Sequence, residues 1–343
     1  MDNYFVYSVN NDISKDKENI IKFLDYQDNV VIEQYPDWPS KGHYRYFYIK
    51  KDGAIIAYAK LQEIYAKMFR FARLDFGPVF KNMESGYNII DFIISYYKKN
   101  KFNYISIQLG LPVSNETEYI DHKINQKYKV KYIYKSNNHW CSLRINLDSN
   151  IDDLFSNFRK GHKRAIKKAF KILDVREIKN EVELREFFSV FHAMSIERNI
   201  YCNILLNDIY NIYKYLIKYK KGYFIGVFTK DNKCIGGIVL VSNGKGMRYY
   251  LGASDANYRK LPILHAAIYY GIEICLKTQK DYLDLWGYNL YAKQDDPILG
   301  INHFKKGFSD NLIFYPKRMH VILKPFGKRI YDLALDFHNI IKK

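Results

Sequence analysis

Residues 223–252 read YFIGVFTKDNKCIGGIVLVSNGKGMRYYLG. Three β-rich runs, Tyr223–Thr229, Cys234–Ser242 and Met247–Gly252, are set off by turn residues, the first pair by Lys230-Asp231-Asn232, so the stretch predicts an antiparallel meander. Downstream, a helical apolar spacing covers Leu261–Lys277, a strand covers Tyr282–Trp286 and a final strand runs near Leu312–Leu323. Upstream lie three helical patterns, at Arg159–Lys171, Glu181–Arg198 and Asp208–Lys218. The first half repeats the order. Strands at Tyr44–Ile49, Ala54–Leu61 and Met68–Leu74, the first two joined by Lys51-Asp52-Gly53, precede a helix at Ser85–Tyr97 and a strand at Tyr104–Leu109. A polar stretch, Ser114–Lys127, separates these from strands near Val130–Tyr134 and Trp140–Ile145. The polar, acidic link Asn146–Asp152 marks a boundary, giving domains 1–150 and 151–343. The expected class is α/β (α+β), two similar halves with mixed, largely antiparallel sheets.

The 343 residues carry 54 Lys and Arg against 36 Asp and Glu, a formal charge of +18. Such an excess suits a protein that meets polyanions or an anionic membrane surface. The four cysteines, Cys141, Cys202, Cys234 and Cys275, form no CxxC pair and have no histidine at metal-ligand spacing, so reduced, buried thiols and no metal are expected. The start, MDNYFVYSVNNDISKDKEN, has no basic segment leading into an apolar one. No apolar run reaches the roughly 20 residues of a membrane span, and the expected location is the cytoplasm.

The charge is concentrated in RKGHKRAIKKAFK, Arg159–Lys171. Apolar positions Phe158, His162, Ala165, Ile166, Ala169, Phe170 and Leu173 recur at three- and four-residue steps and predict a buried stripe. Arg159, Lys160, Lys163, Arg164, Lys167, Lys168 and Lys171 then share the solvent face, an anion-seeking surface or an ordinary solvated one.

No GxxxxGKS/T, no GxGxxG opening a helix, no HExxH and no GxSxG occurs. Acyl-CoA-binding GNAT domains usually place a glycine-containing pyrophosphate loop before the helix that follows the central strand. Here that place, Ala256–Pro262, reads ANYRKLP and contains no glycine.

Several segments together resemble the FemABX family of bacterial aminoacyl-tRNA-dependent peptidyltransferases. They are Gln34-Tyr35-Pro36-Asp37-Trp38 with Lys41, Phe76-Gly77-Pro78-Val79, Arg164–Ala169, Ile196-Glu197-Arg198, Tyr249–Ser254, Tyr282–Gly287 and Gly300–Phe308. The resemblance spans nearly the whole chain. It implies two tandem GNAT-like acyltransferase domains without the long helical arm that some members insert, and transfer of an amino acid from charged tRNA to an amine of a peptidoglycan precursor.

By that resemblance Lys305, after Phe304 in the FKKGF motif, is the catalytic cation, with Lys306 as its neighbouring rival. Asp284, in a strand ending at Gly287, either has a structural role or orients or deprotonates the amine, and with Phe304 it completes the candidate catalytic set. Lys41 and Arg198 hold a diphosphate, Trp38 and Tyr250 line the acceptor channel, and the seven cations of the basic helix take the tRNA. Gln108 stands where many members have an Asp before a Pro, so it orients the acceptor by an amide or marks a different acceptor. His162 reads as a packed core histidine, and His303 lies within reach of the site.

No cofactor is expected beyond the donor substrate. The partners implied are charged tRNA, a nucleotide- or lipid-linked cell-wall precursor and, through the amphipathic segment Phe326–Lys343, a capped domain surface or the inner membrane face. Two alternatives stay open: an acyl-CoA-dependent N-acyltransferase acting on an amino sugar of a surface polysaccharide, and a non-catalytic RNA-binding protein.

Overall fold

A computed structural model describes residues 5–28, 30–66, 69–133, 141–198, 204–294, 296 and 298–324. The predicted segment Phe326–Lys343 and Cys202 lie outside them. In chain order the elements begin β1 (Phe5–Asn10), α1 (Lys17–Asp25), β2 (His43–Lys51), β3 (Ala54–Ala66), β4 (Phe69–Asp75), β5 (Val79–Phe80), α2 (Met83–Lys99), β6 (Tyr104–Gln108), α3 (Asn115–Lys127) and β7 (Val130–Tyr132). They continue with β8 (Cys141–Asn146), α4 (Ile151–Asn157), α5 (Lys160–Ile172), β9 (Asp174–Glu177), α6 (Glu181–Glu197), α7 (Leu206–Tyr219), β10 (Gly222–Phe228), β11 (Cys234–Asn243) and β12 (Gly246–Ser254). Then come α8 (Ile263–Lys277), β13 (Tyr282–Asp284), α9 (Ile298–Lys305), β14 (Leu312–Phe314) and β15 (Met319–Ile322).

Two compact units result, one of residues 5–36, 40–133 and 314–324, the other of Asp37–Pro39 and Cys141–Ile313. The division thus falls before Cys141, not at 150. Cys141–Asn146 pairs with β13 and belongs to the second sheet, while Asn150 caps α4 through the amides of Asp152 and Asp153.

In the first unit the described strands run in the order β1-β2-β3-β4-β6-β15-β7, with β5 beside β3. The β2–β3 hairpin turns on Asp52 and Gly53, both at positive φ (49° and 80°), the conformation such a tight turn needs. An Asn82/Ser85 capping box starts α2, and Ile89, Ile90, Ile93, Ile94 and Tyr97 bury one face of it in the core. The polar stretch after β6 proves to be α3. A second capping box, Ser114 with Thr117, starts it, and only Thr117, Ile120 and Ile124 are buried.

The predicted strand Leu312–Leu323 is two strands. Leu312–Phe314 joins β8 in the second sheet, and Met319–Ile322 joins β6 and β7 in the first. Pro316, which lacks an amide hydrogen for a ladder, interrupts them.

The second sheet runs β14-β8-β13-β12-β11-β10-β9. Every residue of β11 is buried, and α8 and α5 close the core over it through Ala266, Ala267, Ile272, Ile166 and Ala169. Strand β12 is irregular on both of its sides. Towards β11, Val239 pairs with Leu251 and Leu240 with Tyr249, which leaves Tyr250 as the extra residue of a β-bulge. Towards β13, parallel pairing is limited to Met247↔Leu283 and Arg248↔Asp284, while β12 continues to Ser254.

Candidate active site

Strand β13 stops at Asp284, two residues short of the sequence reading, because Trp286 and Gly287 take φ of 53° and 48°. A left-handed conformation costs a non-glycine residue about 1 kcal/mol. Asp284 offsets it: its Oδ1 accepts the Trp286 amide hydrogen at 2.8 Å. The carboxylate is wholly buried. It also accepts the Ser142 hydroxyl on Oδ1 and the Arg144 Nε hydrogen on Oδ2 at 3.1 Å.

The turn aims two carbonyls at one cation. Lys305, the last residue of α9 and 9% exposed, donates from Nζ to the carbonyl of Trp286 and, at 2.8 Å, to that of Gly287. Burial pulls the Lys305 pKa down to about 8, and the negative charge of Asp284 acts in the opposite direction. Its helix is fixed by Asn302, whose amide donates to the Asn289 carbonyl at 2.6 Å.

Beside this turn, where β12 and β13 cease to pair, stands Arg248. It is 2% exposed, with its guanidinium 4.5 Å from the Trp286 ring centroid and 5.5 Å from that of Tyr250. Trp38 packs edge-on against Tyr250 at 5.6 Å and Tyr215 at 5.3 Å. Tyr219 Oη donates to the Asp37 carboxylate at 2.7 Å, so residues 37–39 are anchored on α7 and β12. The arrangement sets a buried cation beside flat aromatic walls, suited to a planar acyl group whose carbonyl oxygen acquires negative charge.

The basic helix forms as expected, with His162, Ile166 and Ala169 buried. Phe170 departs from the expected stripe. It is 41% exposed and only edges Tyr269. Three of the seven cations are engaged by neighbours: Arg159 Nη1 lies 2.6 Å from His303 Nε2, Lys163 donates to the Ser156 carbonyl at 2.7 Å, and Lys167 lies over the Phe155 ring. Lys160, Arg164, Lys168 and Lys171 are exposed and pair with no carboxylate among the described residues. The helix is joined to α9. The Arg159 amide donates to the Gly307 carbonyl at 2.9 Å, and His162 Nε2 meets the Phe304 carbonyl at 2.9 Å. His162 is a packed core histidine, edge-on to His265 and Phe308 and tilted against Phe304.

Phe304 and Lys305 thus adjoin in the chain, Asp284 is linked to Lys305 through the Trp286–Gly287 turn, and Tyr250 packs on Trp38. Arg198 is exposed at the end of α6, its neighbour Glu197 ion-paired with Arg259. Lys41 is exposed in the first unit, where its carbonyl accepts from Tyr44 and Gln62. Gln108 is 1% exposed, and its amide donates to the Pro316 carbonyl. The carboxylate at that sheet end is Asp75, opposite Gln108 in parallel register and held by Arg318 at 2.6 Å and Arg73 at 2.7 Å.

Sequence reading missed Ser142, Arg144, Arg248 and Trp286. A signal existed for two of them: Ser142 and Arg144 are alternate polar residues in the otherwise apolar run Cys141–Ile145, which places both on one face of a buried strand.

In the loop between β12 and α8 most backbone donors are used locally. The Asn257 amide goes to the Asp255 carboxylate at 2.9 Å, and those of Tyr258, Arg259, Leu261 and Ile263 go to loop carbonyls. Pro262 caps α8 without an amide hydrogen.

No protein-family model and no curated protein matches the sequence. Solved structures do. The crystal structure of FemX matches with a TM-score of 0.80 at 15% identity, over 95% of this chain and 99% of that one. L-PGS from Bacillus licheniformis matches at 0.58 and 11% identity, over 93% and 94%. A tandem GNAT protein from the clavulanic acid biosynthesis pathway matches at 0.55 and 9% identity, over 94% and 99%. The chain has this tandem GNAT-like fold, and the FemABX resemblance read from the motifs is matched at the level of architecture.

Proposed function

We propose that the protein is an aminoacyltransferase of the FemABX type, moving an amino acid from charged tRNA to an amine of a nucleotide- or lipid-linked cell-wall precursor in the cytoplasm. The observation that carries this reading is the seating of Lys305, a buried ammonium fixed by two carbonyls at the parting of β12 and β13.

The amine attacks the aminoacyl ester carbon, a C–N bond forms, and the carbonyl oxygen becomes an oxyanion facing the Lys305 ammonium. Collapse breaks the ester C–O bond; the tRNA oxygen leaves and takes up a proton, while the former amine gives one to water or substrate. A preorganised cation in a water-poor site costs nothing to reorient as the charge develops. Asp284 is inaccessible to a substrate amine, so it has no place as the base. Lys41 and Arg198 are assigned to the precursor diphosphate and Trp38 and Tyr250 to the acceptor channel, on the FemABX resemblance.

The donor reading is supported by the loop at Asp255–Ile263. With five of its amides bonded within the loop and a carboxylate among them, it leaves few donors for a pyrophosphate. The exposed cations of α5 supply the anion surface that tRNA needs instead.

Purified protein incubated with a cell-wall precursor and either labelled aminoacyl-tRNA or labelled acetyl-CoA tests the assignment. Label passing from the tRNA ester to the precursor is expected. Transfer from the thioester alone would replace this reading with the acyl-CoA one, and binding of RNA without transfer from either donor would leave a non-catalytic RNA-binding protein.

A further inference from the structure

We propose that Asp284 is a positioning residue for Lys305, acting through the Trp286–Gly287 turn, and that Ser142 and Arg144 on β8 are the parts that hold it in place. The inference rests on the reading of Lys305 as the cation of the transfer.

Both carboxylate oxygens of Asp284 are spent inside the protein. Oδ1 takes the Ser142 hydroxyl and the Trp286 amide, and Oδ2 takes Arg144 Nε. A carboxylate with three donors and no solvent exposure neither touches substrate nor accepts its proton. What it does is local: by capping the amide two residues ahead, it stabilises an Asx-type turn in which Trp286 stays left-handed. That backbone presents the carbonyls of Trp286 and Gly287 to one point, and Lys305 Nζ occupies it. Removing the cap would free the turn to relax, moving both acceptors and the ammonium with them.

The support for Asp284 is equally specific. Arg144 stands opposite it in the antiparallel β8–β13 register, and its guanidinium is stacked 4.1 Å from the Tyr282 ring centroid. Ser142, two residues along β8, shares its face. Among the described residues, the charge that acts on Lys305 is that of Asp284 on β13, and it favours the ammonium form. Asp284 therefore sets both where Lys305 sits and how readily it keeps its proton.

The test is competitive labelling of the resting full-length protein with trace acetic anhydride across pH, quantified at Lys305 by peptide mass spectrometry. It is paired with kcat and KM of the transfer. In Asp284→Asn the Lys305 titration is expected to move down by about one pH unit, the alkaline limb of kcat to move with it, and kcat to fall roughly tenfold or more with KM within about twofold. Ser142→Ala, which spares the fold if the Asn variant does not, should show the same shift at smaller size.

A titration identical to wild type in both variants overturns the proposal, whatever happens to activity. So does a loss of kcat that is uniform over pH. Because labelling uses no donor, it fails or succeeds independently of whether aminoacyl-tRNA is the substrate.

Discussion

The ammonium of Lys305 lies 2.8 Å from the carbonyl oxygen of Gly287, a main-chain acceptor rather than a carboxylate. A cation held this way keeps its charge for an incoming oxyanion instead of neutralising it at rest. Lys305→Met should therefore lower kcat by about 10²-fold or more, near 3 kcal/mol, the order found on deleting an oxyanion-hole donor. Steady-state kinetics beside thermal unfolding would check this; a variant that unfolds but transfers normally when folded refutes it.

The same group predicts an alkaline limit. Its folded pKa of about 8 lies below the usual lysine value of 10.5, so transfer should decline as pH rises through about 8. Stability should move the other way. Between these two values the unfolded chain binds the extra proton, so wild-type stability rises with pH in that window, and the Met variant should lack that rise. Urea titrations at pH 7.5 and 10 measure the difference.

For the basic helix, the four cations without engaged neighbours are the ones to change. Replacing Lys160, Arg164, Lys168 and Lys171 with Gln should raise KM for tRNA, most at low salt, and reduce the log–log salt slope by up to about 0.9 for each phosphate no longer neutralised. Lys163 and Lys167, tied to Ser156 and Phe155, should matter less. An equal rise in KM for the acceptor would count against a tRNA surface here.

Gly307 adjoins the His162 ring so closely that a Cβ would stand 2.1 Å from it. Gly307→Ala should cost about 1–3 kcal/mol by overpacking. His162→Ala in the same chain should recover part of the loss, since the obstructing ring is gone. Strictly additive losses in a double-mutant cycle would show that the clash is relieved elsewhere.

Acid should destabilise the first unit through His320. Burial pushes its pKa down to about 3, so it stays neutral in the folded chain while the unfolded chain takes up a proton below about 6.5. The stability it contributes is full above that value and drains away as pH falls towards 3. His320→Phe should flatten the loss between pH 6.5 and 4 in chemical denaturation; an unchanged slope would assign the acid sensitivity to other groups, His265 among them.

Much of this was legible in the chain. The meander at Tyr223–Gly252 and the helices at Ser85–Tyr97 and Glu181–Arg198 carry strong apolar periodicity, and the structure differs from their reading by a few residues at the ends. Helix α3 was hidden because just two of its buried positions, Ile120 and Ile124, are large and apolar; the capping box at Ser114 was the available clue. The split of Leu312–Leu323 between two sheets depends on partners distant in sequence, with Pro316 as the only local hint. At the candidate site, the motif points to Lys305. No such signal marks Arg248, because an arginine in a strand reads as a solvent-facing residue until an irregular pairing and two aromatic rings bury it.

The place of β15 bears on how the chain comes into being. Because Met319–Ile322 lies between β6 and β7, hydrogen-bonded to both, the first sheet cannot be completed until almost all the described chain has been synthesised. Until then β6 and β7 present unpaired edges while the whole of β8–β14 is translated, a long exposure for strands of this kind. The first half of the sequence is thus the last to be finished, and substitutions that slow translation or truncate the chain before Met319 should act as folding defects of the amino-terminal unit.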